Sequence, residues 1–218
     1  MIVLEDGSIY GTIGGGSLEK EVIKNAIEQL NLNQPKSFKH DLLQQHNMCC
    51  GGVMEIYIEP ILKKSKLYIF GAGHTGEALA RLMVNHSFEL FLIDDRDEFI
   101  DNIEIKGLNK MKVAFDEALP SLPFDNKTYV VIMTYSHPID RNILSYCIKQ
   151  PCAYLGMIGS KRKVELTKKM FVQGKIASAK ELSKVDMPMG IDIKANGPEE
   201  IALSIGAKLI EVKNNLLK

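Results

Sequence analysis

Hydrophobic and polar positions change period several times along this chain, and each change marks an element. Leu18, Val22, Ala26 and Leu30, flanked by Ile23 and Ile27, recur at helical spacing and predict an amphipathic helix. Ser17 reads as its N-cap, and Glu19 suits the positive end of the helix dipole. Ahead of it, β-prone runs at 1–4 and 9–13 flank Asp6-Gly7. Both turn residues tolerate positive φ, so a hairpin is predicted. Residues 37–43 read as a further strand and 44–52 as a loop. Met54, Ile56 and Ile58 then alternate with Glu55, Tyr57 and Glu59, the period of a half-buried strand.

From residue 66 onward the pattern changes. Continuous apolar runs, Leu67-Tyr68-Ile69-Phe70, Leu90-Phe91-Leu92-Ile93, Tyr129-Val130-Val131-Ile132 and Ala153-Tyr154-Leu155-Gly156-Met157-Ile158, fit parallel strands covered on both faces. Helical patterns lie between them: Ala78, Leu79, Leu82 and Met83 on one face, and residues 142–149. Residues 99–126 are weakly patterned, with a short strand predicted at 111–114 and a short helix after Asp116. Pro198 followed by Glu199 and Glu200 is a strong helix start, and Ile201, Ile205, Leu209 and Val212 give that helix its buried face. The fold class is therefore α/β: a small N-terminal α/β domain over 1–62, then a Rossmann-like doubly wound parallel sheet over 66–218. The Pro-marked polar stretch 60–65 separates them. In such sheets ligands bind at the carboxyl ends of the strands, where the loops 71–76, 94–96, 134–141 and 156–163 fall.

Composition narrows the function classes. Apolar residues make up 45% and charged residues 25%, as in an ordinary globular chain with a buried core. Lys plus Arg and Asp plus Glu each number 27, so the basic excess of a nucleic-acid binder is absent. No apolar run approaches the roughly 18 residues of a membrane span, and the first residues lack a signal-peptide pattern. Four cysteines do not make a disulfide scaffold, so a cytoplasmic location with reduced thiols is expected.

The candidate chemistry sits in glycine-rich turns. Gly71, Gly73 and Gly76 have the G-x-G-x-x-G spacing between a strand and a helix. The first permits the turn, the second lets backbone approach a phosphate, and the third lets helix and strand pack closely. Asp94 lies 18 residues after Gly76, near the place of a ribose-binding acid, and Asp95 and Arg96 follow it. Gly14-Gly15-Gly16 before a helix exposes unpaired N–H groups to an anion, or simply makes a tight turn. His74 lies inside the second glycine turn, facing any ligand there. His137 near Asp140 suits acid–base work or a structural loop. Gly159-Ser160-Lys161 at a helix start offers backbone, hydroxyl and charge to an anion, or is a solvated basic face. Cys49 and Cys50 are adjacent, unlike a zinc knuckle; as thiolates they suit soft-metal or sulfur chemistry, or they pack as small residues. Cys147 and Cys152 read as core, and His40, His46 and His86 have no evident companions. These residues define a binder of a phosphorylated, nucleotide-like ligand. An NAD(P)-dependent oxidoreductase and a regulatory nucleotide-binding module both remain open.

Seven phrases taken in order are more specific. They are Gly11-Thr12-Ile13-Gly14-Gly15-Gly16-Ser17-Leu18-Glu19, Cys49-Cys50-Gly51-Gly52, Gly71-Ala72-Gly73-His74, Asp94-Asp95-Arg96, Thr134-Tyr135-Ser136-His137, Tyr154-Leu155-Gly156-Met157-Ile158-Gly159-Ser160-Lys161, and Gly190-Ile191-Asp192-Ile193 with Pro198-Glu199-Glu200-Ile201-Ala202. Together they resemble the xanthine dehydrogenase accessory (XdhC/CoxI) family over nearly the whole chain. The resemblance implies a maturation chaperone rather than a dehydrogenase. Such a protein binds the molybdenum cofactor (molybdopterin), holds it while a cysteine desulfurase installs its terminal sulfur, and delivers it to a molybdenum hydroxylase apo-enzyme. It also implies a homodimer. The residues make physical sense of that role: the glycine turns are expected to take the cofactor's phosphates, with His74, Asp94, Asp95, Arg96, His137, Gly159, Ser160 and Lys161 around them, while Cys49 or Cys50 is expected to contact molybdenum or its sulfur. Two departures stand out. The family has a helix and strand ahead of the opening hairpin, so the first domain reads as shortened. Gly197 stands where the family often places a hydroxyl cap.

Overall fold

The computed structural model describes residues 1–46, 51–61 and 64–216. The chain forms two compact units, Met1–Lys63 and Lys64–Lys218.

In the N-terminal unit the predicted hairpin forms from β1 (Ile2–Val3) and β2 (Ile9–Tyr10), with Val3 opposite Ile9 and Gly7 at φ 82° in the turn. The helix α1 (Gly16–Leu32) follows. Its N-cap is Gly15, not Ser17. Gly14, Gly15 and Gly16 all take positive φ, a run that side chains disfavour, so the turn continues to the helix start itself. Ser17 lies within the first turn, and its hydroxyl donates to the His46 carbonyl at 3.0 Å. Leu18 and Val22 are buried as the spacing predicts. The strands β3 (Lys36–Asp41) and β4 (Val53–Ile58) pair antiparallel, Phe38 opposite Ile56 and His40 opposite Met54. β3 stops at Asp41 because its carboxylate accepts from the N–H groups of Leu43 and Gln44, turning the chain.

The C-terminal unit carries β5 (Ser65–Phe70), α2 (His74–Met83), β6 (Phe88–Asp94), α3 (Asp97–Ile100), β7 (Leu108–Lys112) and α4 (Phe115–Ser121). Then come β8 (Tyr129–Ile132), α5 (His137–Cys147), β9 (Tyr154–Met157), α6 (Lys161–Gln173), α7 (Ala179–Leu182) and α8 (Pro198–Leu216). Five strands form one wholly parallel sheet in the order β7-β6-β5-β8-β9, the expected doubly wound Rossmann-like architecture. Alternate residues of β5 serve the two faces. Leu67 and Ile69 pack with Leu79 and Met83 of α2 and with Ile205 and Leu209 of α8. Tyr68 and Phe70 pack with Phe115 of α4, Ile143 and Leu144 of α5, and Phe171 of α6. Apolar cover on both sides is why these strands are continuous in hydrophobicity.

In the C-terminal unit, β7 and the start of α5 differ from the sequence pattern. The strand expected at 111–114 lies at Leu108–Lys112, on the sheet edge, where Asn109, Lys110 and Lys112 face solvent and break the apolar run. The helix expected from residue 142 starts at His137, with Pro138 in its first turn, where a missing N–H costs no hydrogen bond. At the last helix, Glu200 in the first turn reaches back to accept from the Asn196 N–H at 2.6 Å and ties the preceding chain to the helix start. Further along α8, a Cβ on Gly206 would come within 2.8 Å of Leu82 Cδ2 and 3.2 Å of Met83 Sδ, so glycine is what lets α8 lie close on α2. Among the described residues, no helix is long and apolar enough to cross a membrane.

Candidate functional site

The site is built where β5, β6 and β8 end. Gly71 leaves β5 at φ 114°, and a Cβ there would collide with the Met133 carbonyl of the chain following β8. A Cβ on Gly76 would collide with the Gly71 carbonyl. Both glycines are therefore fixed by close backbone packing. Gly73 is the opposite case. It has ordinary φ of −67°, and nothing lies within 4 Å of where its Cβ would stand. It is also the N-cap of α2, with no side chain accepting from the first-turn N–H groups. An open face beside an uncapped helix start is the geometry that receives a phosphate.

Asp94, the last residue of β6, is fully buried. Its Oδ2 accepts from the Ala72 N–H at 2.6 Å and from Arg96 Nη2 at 2.8 Å; its Oδ1 accepts from Arg96 Nε at 2.9 Å and the Arg96 N–H at 3.1 Å. Burial pushes its pKa up, but the bonds from Arg96 and Ala72 outweigh that and hold the carboxyl below its usual range. This acid braces the glycine turn from behind. Asp95 next to it is exposed and accepts from Tyr135 Oη at 3.0 Å, which raises the phenol's pKa. The Arg96 guanidinium lies between two rings, 3.8 Å from the Phe99 centroid and 4.4 Å from that of Tyr135, a double cation–π arrangement.

At the end of β8, Asp140 is buried in the first turn of α5. Its Oδ1 accepts from the Thr134 N–H at 2.9 Å and hydroxyl at 2.7 Å. His137 Nδ1 lies 3.2 Å from its Oδ2. Burial raises the Asp140 pKa, and the Thr134 bonds and the imidazole only partly reverse this. The partly exposed imidazole of His137 thus stands beside a buried carboxyl at the mouth of the sheet, a position from which it can contact a ligand. At the end of β9, Ser160 caps α6 and accepts from the Lys163 N–H, with Lys161, Arg162 and Lys163 exposed in the first turn. His74, at the first position of α2, is exposed and lines an open groove of about 650 Å³ with Glu77, Arg81, Pro198 and Glu199.

In the other unit, the N–H groups of the turn Gly14-Gly15-Gly16 are partly engaged within the chain, as in the second of its two expected readings. Glu19 Oε2 accepts from the N–H groups of Ile13 at 3.1 Å and Gly15 at 3.3 Å, and from the Thr12 hydroxyl. The Thr12 bond first, then the backbone bonds, hold Glu19 below the ordinary carboxylate range. The chain's own carboxylate fills this place. Cys49 and Cys50 lie outside the described residues. Sequence reasoning also missed that His40 and His46 meet, their facing nitrogens 3.2 Å apart. The period-two placement of His40 beside Phe38 was the only signal for it.

A parallel sheet of this order, with a glycine turn after its central strand and an acid at the end of the next, defines a Rossmann-type domain. Residues 67–209 match the XdhC Rossmann domain, and residues 1–41 match the XdhC and CoxI family. The chain belongs to the XdhC/CoxI family. It is 32% identical to the uncharacterised protein YqeB of Escherichia coli (strain K12), over 99% of this chain and 40% of that one. It is 28% identical to a probable xanthine dehydrogenase subunit of Bacillus subtilis (strain 168), over 74% of this chain and 47% of that one. The chain thus spans less than half the length of these curated relatives. A crystal structure from Bacillus halodurans, described as a xanthine dehydrogenase, shares the fold with a TM-score of 0.60 at 21% identity, over 98% of this chain and 85% of that one.

Proposed function

We propose that this chain is an accessory protein of molybdenum hydroxylase maturation, which binds the molybdenum cofactor by its phosphate end and hands it to a xanthine dehydrogenase-type apo-enzyme. The observation that carries this reading is the contrast between Asp94 and Gly73. In a conventional NAD(P) site the acid at this strand end takes the ribose hydroxyls. Here both Asp94 oxygens are engaged by Ala72 and Arg96 inside the protein, while the phosphate approach at Gly73 stands open. A phosphate is held without a ribose acceptor.

The donor set fits the cofactor. The first-turn N–H groups of α2 donate to its phosphate, and the Ser160 and Lys161 end of α6 adds positive charge at the same sheet edge. His137, backed by Asp140, supplies a further donor. Adjacent thiols at Cys49 and Cys50 suit molybdenum or its sulfur. When bound, the group supplies the metal centre whose terminal sulfur a cysteine desulfurase installs. The protein's own residues bind, orient and release, acting as a homodimer in the cytoplasm. The relative named a probable xanthine dehydrogenase subunit supports the choice of target.

The test is equilibrium retention. The full chain is mixed with molybdopterin released from a donor protein, and separately with NADPH, then gel-filtered. Retained pterin, activation of the apo-hydroxylase and no NADPH oxidation are expected. NADPH oxidation with a small substrate, lost in Asp95→Ala, would transfer the site to an oxidoreductase. A Cys49→Ala/Cys50→Ala variant with full retention and full activation would remove the thiol role.

A further inference from the structure

We propose that Glu21, His40 and His46 form a binding site for a divalent transition-metal ion, zinc by preference, within the N-terminal unit. The three residues come from α1, from β3 and from the turn after β3. His46 Nε2 lies 3.2 Å from His40 Nδ1 and 3.8 Å from Glu21 Oε2, and all three donor atoms fall within 4.8 Å of one another. Tetrahedral zinc with bonds of about 2.1 Å sets its ligand atoms about 3.4 Å apart. Two separations sit on either side of that value and the third lies within 4.8 Å, so rotation of the exposed Glu21 side chain completes the set.

Burial gives a second, independent reason. His40 is 3% exposed and His46 is 6% exposed. The His40 ring makes its polar contact through Nδ1 to His46, and its Nε2 has no hydrogen-bond partner among the described residues. Two polar rings removed from water need compensation at the nitrogens that face each other, Nδ1 of His40 and Nε2 of His46, and these are the donor atoms the site uses. Only one proton can sit between the two facing nitrogens. A cation accepts a lone pair from each of those two nitrogens and from the Glu21 carboxylate together; Nε2 of His40 is not a ligand. The turn bearing His46 is already anchored, because the Ser17 hydroxyl donates to its carbonyl. Glu21 is exposed and so brings negative charge at the solvent side, where an ion arrives. Two imidazoles with one carboxylate match zinc better than the hard ions magnesium or calcium. Three protein ligands leave a fourth position for water or a small ligand.

The experiment uses the full chain, and in parallel its Cys49→Ser/Cys50→Ser variant, so that thiols cannot supply the ligands. Metal is stripped with a chelator. Cobalt(II) is then titrated with its visible absorption as readout, and zinc is measured by elemental analysis after gel filtration. Both proteins are expected to take up one ion per chain, with a tetrahedral cobalt spectrum and a raised melting temperature. His40→Gln and His46→Gln are expected to lose the spectrum, whereas His86→Gln keeps it. Should either buried variant unfold by circular dichroism, Glu21→Gln decides, because its exposed side chain leaves the fold intact while its cobalt affinity falls. Absence of a tetrahedral spectrum in the wild type, or zinc uptake unchanged in Glu21→Gln and His46→Gln, overturns the site and leaves an ordinary imidazole–imidazole hydrogen bond.

Discussion

The Arg96 guanidinium stacks on the Tyr135 ring at 4.4 Å, although the two residues belong to loops after different strands. Tyr135 also donates to Asp95, so one aromatic side chain holds both the base and the exposed acid of the Asp94-Asp95-Arg96 motif. The loops after β6 and β8, which flank the central strand β5, are thereby joined across the mouth of the sheet.

Removing Arg96 tests that joint. Arg96→Ala leaves the buried Asp94 charge without its partner, and loss of one member of a buried pair costs about 3 kcal/mol or more. Arg96→Lys keeps the charge but loses the second arm and the stacked plane, so it falls between. Urea unfolding followed by near-ultraviolet circular dichroism reads this in the C-terminal unit, which holds Tyr68, Tyr129, Tyr135, Tyr146 and Tyr154.

The glycines of the turn separate folding from binding. Gly76→Ala forces a Cβ into the Gly71 carbonyl and is expected to abolish a stable C-terminal unit. Gly73→Ala meets open space at ordinary φ and is expected to cost no more than about 1 kcal/mol, the difference between Gly and Ala at an N-cap, while its methyl group would stand in the proposed phosphate approach. Molybdopterin retention lost with at most a small drop in melting temperature is the expected result for Gly73→Ala.

Acid acts through Asp94. Its pKa is lowered on folding, so its stabilisation is present above the unfolded value of about 4 and is lost as pH falls through the folded value. The stability difference between wild type and Asp94→Asn should therefore be large at neutral pH and shrink at pH values below the ordinary carboxylate range. Denaturation series at several pH values measure it. Asp140, whose pKa is raised, works in the opposite direction: its contribution is present in acid and lost as pH rises through the folded value.

Glu19 offers a gain-of-binding test. Glu19→Ala frees the N–H groups of Ile13 and Gly15. Inorganic sulfate should then raise the melting temperature of the variant more than that of the wild type. Equal sulfate responses would show that the turn does not present these donors to an anion.

What the sequence revealed followed from local periodicity. β5, β6, β8 and β9 are covered on both faces, so their apolar runs were unbroken and easily read. β7 and β9 are both edge strands, but β9 is buried throughout, whereas β7 turns Asn109 and Lys110 to solvent and so lost the same signal. The start of α5 was hidden because His137 and Pro138 look like loop residues, although Pro suits a first turn. The glycine turn was legible because its spacing is itself the geometric requirement. The closed state of Asp94, the Glu19 carboxylate over its turn and the meeting of His40 with His46 were not legible. Each depends on where a side chain lies after distant segments pack, which no local period encodes.

The bond from the Ala72 N–H to Asp94, with that from the Gly71 N–H to the Ile93 carbonyl at 2.9 Å, fastens the phosphate turn to the neighbouring strand from its inner side. The turn's shape is thus set from within the protein, before any ligand arrives. Under the proposed carrier role, such preorganised walls would leave loading and unloading to the cargo's own contacts, with the same surface ready for the next molecule.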